Sequence, residues 1–172
     1  MSQKMILVIG GAASGKSAFA EKCINDSGLD RIYIATSRVW DDEIKSKVAR
    51  HKISRGPGWR TVEAPLEPGD TLTGAASQSA VLLDCATMWL TNHMMDDTDL
   101  AAAEARLLAA LDSSPALRVV VTNELGGGIV PADALSRRFR QAQGELNQKL
   151  AAQADVVVQV IAGLPNILKG TL

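Results

Sequence analysis

Gly10, Gly15, Lys16 and Ser17 stand in the spacing G-x-x-x-x-G-K-S inside the stretch GGAASGKSAF. Those residue types at that spacing bind phosphate. Backbone N–H groups from Gly10, Gly11, Ala12, Ala13, Ser14, Gly15, Lys16 and Ser17 can turn inward onto phosphate oxygens. The lysine then reaches the outer phosphates, and the serine hydroxyl joins a magnesium shell. Glycine is needed where backbone and phosphate approach closely. The apolar run MILVI precedes the motif, and KSAFAEKCI follows it with Phe19, Ala20, Cys23 and Ile24 on one helical face. A strand, a loop and a helix in that order also aim the positive end of a helix dipole at the bound anion. The motif predicts nucleotide binding but does not say what happens to the phosphates.

A second constellation bears on that question. In DDEIKSKVARHKISRGPGWRTVE, Asp41, Asp42 and Glu43 come first, and Lys45, Lys47, Arg50, Lys52 and Arg55 follow. A solvated helix that complements its own dipole has this charge order. In such a helix Ile44, Val48 and His51 fall at i, i+4 and i+7, on one face. Cations at Arg50 and Lys52 disfavour imidazolium and lower the histidine from its reference of about 6.5. A neutral imidazole can attack phosphorus, and the same cations would neutralise the triphosphate under attack. The residues alone leave both readings of His51 open, packed side chain or nucleophile. His93, in LTNHMM, has Met88, Trp89, Leu90, Met94 and Met95 as sequence neighbours. It reads as packing or as a pocket wall. The two histidines lie in no metal-ligand spacing.

These residues need a frame. MILVI, RIYIAT, AVLLDC, RVVVTNE and DVVVQVIAG read as strands, several of them apolar on both faces. WRTVEA is a shorter strand placed near an edge by its flanking prolines. From Ala132 to Gln153, an apolar stripe runs through Leu135, Phe139, Ala142, Leu146 and Leu150. Leu100, Leu107, Leu108 and Leu111 form another. Strands alternating with helices predict an α/β fold, a mostly parallel sheet covered by helices on both faces, in one domain over 1–172. Ligands gather at the carboxyl ends of such strands. Thr36, Ser37 and Arg38 follow one strand, Asp84 ends another, and Thr122, Asn123 and Glu124 end a third. Asp84 suits the acid that supports magnesium with Ser17, and it also suits a helix N-cap; the two roles are compatible. Two readings stand for Glu124: orienting a nucleophile or metal-bound water, or accepting loop N–H groups.

Composition narrows the partners. A net charge of −1 supplies no basic field for nucleic acid or an anionic membrane, and 3% aromatics supply little for base stacking. Cys23 and Cys85 are far apart, lie in apolar stretches and read as small buried hydrophobes. Lys4 followed by MILVIGGAA mimics a secretory signal, but it overlaps a complete phosphate loop that cleavage would destroy. No apolar stretch reaches membrane-spanning length. The expected location is the cytoplasm.

Across nearly the whole chain, GGAASGKSAFAE, YIATSRVWDDE, RHKISRGPGWRTVE, LLDCATMWLTN, VTNELGGGIVP, RRFRQAQGELNQKLAAQAD and VIAGLPNILK appear in that order. Together they resemble the bifunctional adenosylcobinamide kinase/adenosylcobinamide-phosphate guanylyltransferases of cobalamin biosynthesis. The resemblance implies a phosphate-loop fold, a homotrimer and two reactions. One phosphorylates the aminopropanol hydroxyl of adenosylcobinamide with ATP or GTP. The other moves GMP from GTP onto that phosphate through a guanylylated histidine, here His51. It places nucleotide contacts on Gly10 to Ser17, on Thr36, Ser37 and Arg38, on Lys52, Ile53, Ser54 and Arg55, and on Glu63 and Asp84, with Mg2+ as cofactor. Some relatives carry a second histidine where this chain has Arg50, and a glutamate where it has Asp84. Two alternatives are a phosphate-loop kinase for another small hydroxyl substrate and a GTP-binding regulatory module. The module would need a guanine-reading N-K-x-D run, which the sequence lacks. If Lys16 contacts the outer phosphates, Lys16→Ala weakens GTP binding by calorimetry and depresses turnover; unchanged affinity in the folded variant would refute the assignment.

Overall fold

The computed structural model describes residues 4–38 and 55–172. The charged stretch 39–54, with His51, Lys52, Ile53 and Ser54, lies outside the described residues. In chain order the elements are β1 (Met5–Gly10), α1 (Lys16–Asp26), β2 (Asp30–Ala35), β3 (Trp59–Glu63), α2 (Gly69–Thr73), β4 (Ser79–Asp84), α3 (Ala86–Met95), α4 (Leu100–Ser113), β5 (Leu117–Asn123), α5 (Ala134–Gln153), β6 (Val156–Ile161) and β7 (Leu164–Lys169).

The strands form one seven-stranded sheet in the order β3-β2-β4-β5-β1-β6-β7. Every neighbouring pair is parallel except β6 and β7. The doubly apolar strands are explained by their cover. Ala20 and Ile24 of α1 pack on Val8, Leu82, Val119, Val121 and Val158 on one face. On the other, Leu72, Trp89, Leu90, Leu107, Leu111, Leu146 and Leu150 from α2 to α5 pack on Leu7, Leu83 and Val120. Burial on this scale removes apolar area from water on both sides of the central strands, where no polar side chain would be tolerated unpaired.

WRTVE is an edge strand, as its prolines imply. Strand β7 is an addition to the sequence reading. Its six residues are all exposed, so it carries no burial alternation to betray it. A two-residue turn makes it: Ala162 and Gly163 both have positive φ, 52° and 78°, the primed-turn geometry that returns a strand antiparallel. Pro165 is tolerated on this edge.

Three readings need correction. Cys85, not Asp84, is the N-cap of α3, its Sγ accepting from Met88 N at 3.4 Å. Neither Cys23 nor Cys85 is fully buried. Helix α5 starts at Ala134, capped by Asp133, and its stripe divides. Leu146 and Leu150 are buried, while Leu135 is 60% exposed beyond the sheet. No described helix is long and apolar enough to cross a membrane.

The divided stripe sets a test. Leu146→Ala should cost about 2–5 kcal/mol in urea unfolding. Leu135→Ala, on the same stripe, should stay within about 0.5 kcal/mol.

Candidate nucleotide site

Parallel pairing brings the sequence-marked residues to one edge of the sheet. Ala35 of β2 is in register with both Glu63 and Asp84, and Asp84 with Val121. Gly10 is in register with Asn123. The phosphate loop, the Thr36–Arg38 exit, Glu63, Asp84 and Glu124 therefore all follow carboxyl ends of adjacent strands, where such sheets bind ligands.

The loop is held by backbone. Ser14 N donates to Gly11 O at 3.3 Å, Glu124 N to Gly10 O at 3.0 Å, and Gly163 N to Ser14 O at 2.8 Å. A Cβ on Gly10 would lie 2.5 Å from Ser14 Oγ and 2.6 Å from Val160 O, so only glycine fits. Gly15 has φ +93° and lies against Gly163 of the β6–β7 turn. Lys16 Nζ donates to Gly11 O at 2.9 Å, inside the loop's own curve. Gly15 caps α1 without a side-chain hydrogen bond, so the helix starts against the loop with its positive dipole end facing it. Ser14 Oγ is buried and has no hydrogen-bond partner among the described residues. A buried polar atom of that kind, at a helix N-terminus, fits a phosphate.

The acids and cations around the loop are tied to particular partners. Tyr33 OH donates to Asp84 Oδ2 at 3.0 Å. Burial, with Asp84 adding to it, pushes the Tyr33 phenol far above its ordinary range. Thr36 is buried, and its hydroxyl donates to Cys85 O and accepts from Cys85 N, both at 2.8 Å. Its side chain thus braces the β2 exit against the start of α3. Ser37 is half-buried. Arg38 makes a two-pronged pair with Asp96 at 2.8 and 2.6 Å, which holds the Asp96 carboxyl below its usual value. Arg55 is buried, its Cζ 3.4 Å from the centroid of the Tyr33 ring. Glu63 is exposed at the end of its edge strand. Glu124 Oε1 accepts from Gly126 N, the loop-acceptor geometry of its two readings. Burial beside Asp84 raises the Cys85 thiol to about 11, so it stays protonated at neutral pH.

Several contributors carry no signal in the one-dimensional pattern. Asn92, wholly buried in α3, donates to Thr36 O at 2.8 Å and Pro65 O at 2.9 Å, joining the exits of β2 and β3. Thr87 Oγ1 accepts from Asn123 N at 2.8 Å. Glu21, one turn beyond Ser17 on α1, is buried, and that burial raises its carboxyl above the usual value. A polar residue beside Trp89 and Leu90 on the buried face of α3 is the hint that sequence offers for Asn92. His93 is both packed and a pocket wall: its ring centroid lies 4.5 Å from that of Trp89, with Nδ1 2.7 Å from Thr98 Oγ1 and Nε2 3.1 Å from Leu66 O, and it lines a cavity of about 530 Å³ with Met94, Thr98 and Arg138. Past the end of α3, a cavity of about 430 Å³ is lined by Thr91, Met94, Met95, Leu125, Ile129 and Leu135.

Residues 6–168 match the family described as cobinamide kinase / cobinamide phosphate guanyltransferase. The chain belongs to this family. It is 41% identical over 167 residues to the bifunctional adenosylcobalamin biosynthesis protein CobP of Pseudomonas aeruginosa, covering 95% of this chain and 96% of that protein. It is 43% identical over 177 residues to the corresponding CobU protein of Salmonella typhimurium, covering 93% and 97%. Among solved structures, it is similar in fold to an ATPase of a type III secretion system, with a TM-score of 0.59 and 13% identity over 95% of this chain and 56% of that one. It also resembles the Pyrococcus horikoshii protein PH0250, with a TM-score of 0.58, 8% identity and coverage of 98% and 87%. A cobinamide kinase / cobinamide phosphate guanyltransferase is a transferase, so the loop serves group transfer in this family.

The crowding at Gly10 predicts a measurable asymmetry. Gly10→Ala forces backbone apart and should lower stability by about 1–3 kcal/mol without nucleotide. Gly11→Ala, with nothing within 4 Å of the added methyl, should be nearly silent in the same thermal or urea assay.

Proposed function

We propose that this single-domain chain phosphorylates the aminopropanol hydroxyl of adenosylcobinamide with ATP or GTP, then transfers GMP from GTP to the resulting phosphate. The observation that supports it most directly is the phosphate loop set beside Asp84 at one sheet edge, in a chain whose family match spans residues 6–168.

In the kinase step, Lys16 and the loop N–H groups bind the β- and γ-phosphates while the substrate hydroxyl attacks the γ-phosphorus and nucleoside diphosphate leaves. Ser17 and Asp84 are the residues that would hold magnesium, with the nucleotide's phosphates completing its oxygen shell. Bound there, the ion neutralises phosphate charge. In the second step, an imidazole nitrogen of His51 attacks the α-phosphorus of GTP and pyrophosphate leaves. A phosphate oxygen of adenosylcobinamide phosphate then attacks the histidine-bound phosphorus, forming adenosylcobinamide-GDP and freeing the imidazole. Thr36, Ser37, Arg38, Lys52, Ile53, Ser54, Arg55 and Glu63 complete the nucleotide contacts in this reading.

The apolar cavity past α3 suits the largely apolar corrinoid. The exposed residues around it, Met95, Ile129 and Leu135, suit a subunit contact in a homotrimer. The working location is the cytoplasm.

The test is covalent labelling. Incubated with magnesium and GTP labelled in the α-phosphate, the protein should take up label that acid removes and mild alkali leaves, as a phosphoramidate does. His51→Ala should abolish labelling and guanylyl transfer while kinase activity persists at least in part. An acid-labile GMP adduct on His51→Ala would place the nucleophile elsewhere.

A further inference from the structure

Tyr33 takes no part in the steps proposed above, yet two residues of the site meet on it. Ala35 is in register with Glu63 and Asp84, and Arg31 with Trp59. Alternation along the strands then puts Arg31, Tyr33, Trp59, Glu63 and Asp84 on one face of the sheet, the face that α1 covers. Tyr33 is 8% exposed there. Its hydroxyl donates to Asp84 Oδ2 at 3.0 Å. Arg55 Cζ lies 3.4 Å from its ring centroid, a guanidinium in contact with the ring face.

The ring is held independently of Arg55. Its hydroxyl is fixed at Asp84, and the Trp59 indole meets it nearly at right angles, with 83° between planes and 6.2 Å between centroids. Trp59 in turn lies under Arg31, whose Cζ is 5.6 Å from the indole centroid. Arg31 donates to Asn25 Oδ1 at 2.8 Å and to Pro57 O at 3.0 Å. One stack therefore runs from the last turn of α1 through Arg31, Trp59 and Tyr33 to Arg55, and its bond to Pro57 O ties down the chain two residues beyond Arg55. A ring fixed at its edge and at its hydroxyl sets the plane of the guanidinium on it. Stacking occupies the guanidinium's face and leaves its N–H edge for the paired oxygens of a phosphate. In sequence, Arg55 follows His51 by four positions.

We propose that Tyr33 is a positioning residue: its ring face seats Arg55, and through Arg55 it sets the rate of guanylyl transfer. This rests on the proposed function, in which Arg55 contacts the nucleotide. The seat also joins Arg55 to Asp84, since one side chain touches both. The carboxylate at the end of β4 and the cation from the chain after His51 are thereby held in a fixed relation across β2.

The test uses the full chain with magnesium and GTP labelled in the α-phosphate. Tyr33→Leu removes the ring, Tyr33→Phe keeps it without the hydroxyl, and Arg55→Gln removes the guanidinium. Tyr33→Leu and Arg55→Gln should each slow labelling of the folded protein by about tenfold or more. The double variant should be no slower than the slower single variant, because the two side chains act as one unit. Tyr33→Phe, which restores the face, should label faster than Tyr33→Leu. Equal rates for the Phe and Leu variants, native labelling by Tyr33→Leu, or effects that multiply in the double variant, as a role in stability alone would give, would each overturn the proposal. Two further readouts do not depend on the reaction. In urea unfolding without GTP, the double variant should lose less stability than the sum of the singles, and additive losses refute the seat. In the native protein, NMR should find the Arg55 side-chain protons shifted upfield by the Tyr33 ring current. Protons at free-arginine positions refute the seat, even where Tyr33→Leu does not fold. If the native protein takes up no label, the proposed function fails, while unfolding and NMR still decide whether the seat exists.

Discussion

Backbone cannot grip phosphate unless its N–H groups are held in one curve, and in this protein the curve is held by contact with other backbone. Gly10 turns where any side chain would strike Val160 O, and Gly15 lies against Gly163. The Gly163 N–H donates to Ser14 O. The loop is therefore clamped by β6 and its turn, elements that come some 150 residues later in the chain. This explains the use of β7. The strand buries none of its side chains, but it returns the chain through a turn with two positive-φ residues, and that turn presents Gly163 to the loop. Without the clamp the loop would be a flexible glycine-rich segment, and ordering it on binding would cost conformational entropy.

The opposite side of the site is organised by polar groups inside an apolar interior. Asn92 spans the exits of β2 and β3, Thr36 fastens the β2 exit to the start of α3, and Tyr33 fastens Asp84. In a low-dielectric interior such bonds are strong when satisfied and costly when broken. They give the strand exits fixed positions. Arg38 is different. Its two-pronged pairing with Asp96 lies at the partly exposed rim and ties the β2 exit to the end of α3.

The far end of the molecule has another logic. Helix α5 buries its later turns and leaves its first ones outside, so Leu135 joins Ile129 and Met95 on the surface. A stripe that continues past its own sheet has the same composition whether it meets its own core or another surface. Only the position of the sheet decides which part is covered.

How much of this was legible beforehand depends on the range of the interaction involved. By itself the sequence determined the phosphate loop, because G-x-x-x-x-G-K-S is a local backbone requirement written in consecutive residues. It also determined the α/β frame, because doubly buried strands need continuous apolar runs and the helices need period-3.6 stripes. Asp84 was legible as the acid that ends such a run. Only the tertiary structure decided that Cys85 rather than Asp84 caps α3, that Glu124 turns onto its own loop, and that β7 exists at all. It alone brought Tyr33 and Arg55 together and gave Asn92 its two carbonyls. Those outcomes depend on which groups meet across strands distant in sequence. Parallel β-pairing, which sets that meeting, is made between backbone atoms common to every residue and so leaves no mark on residue type.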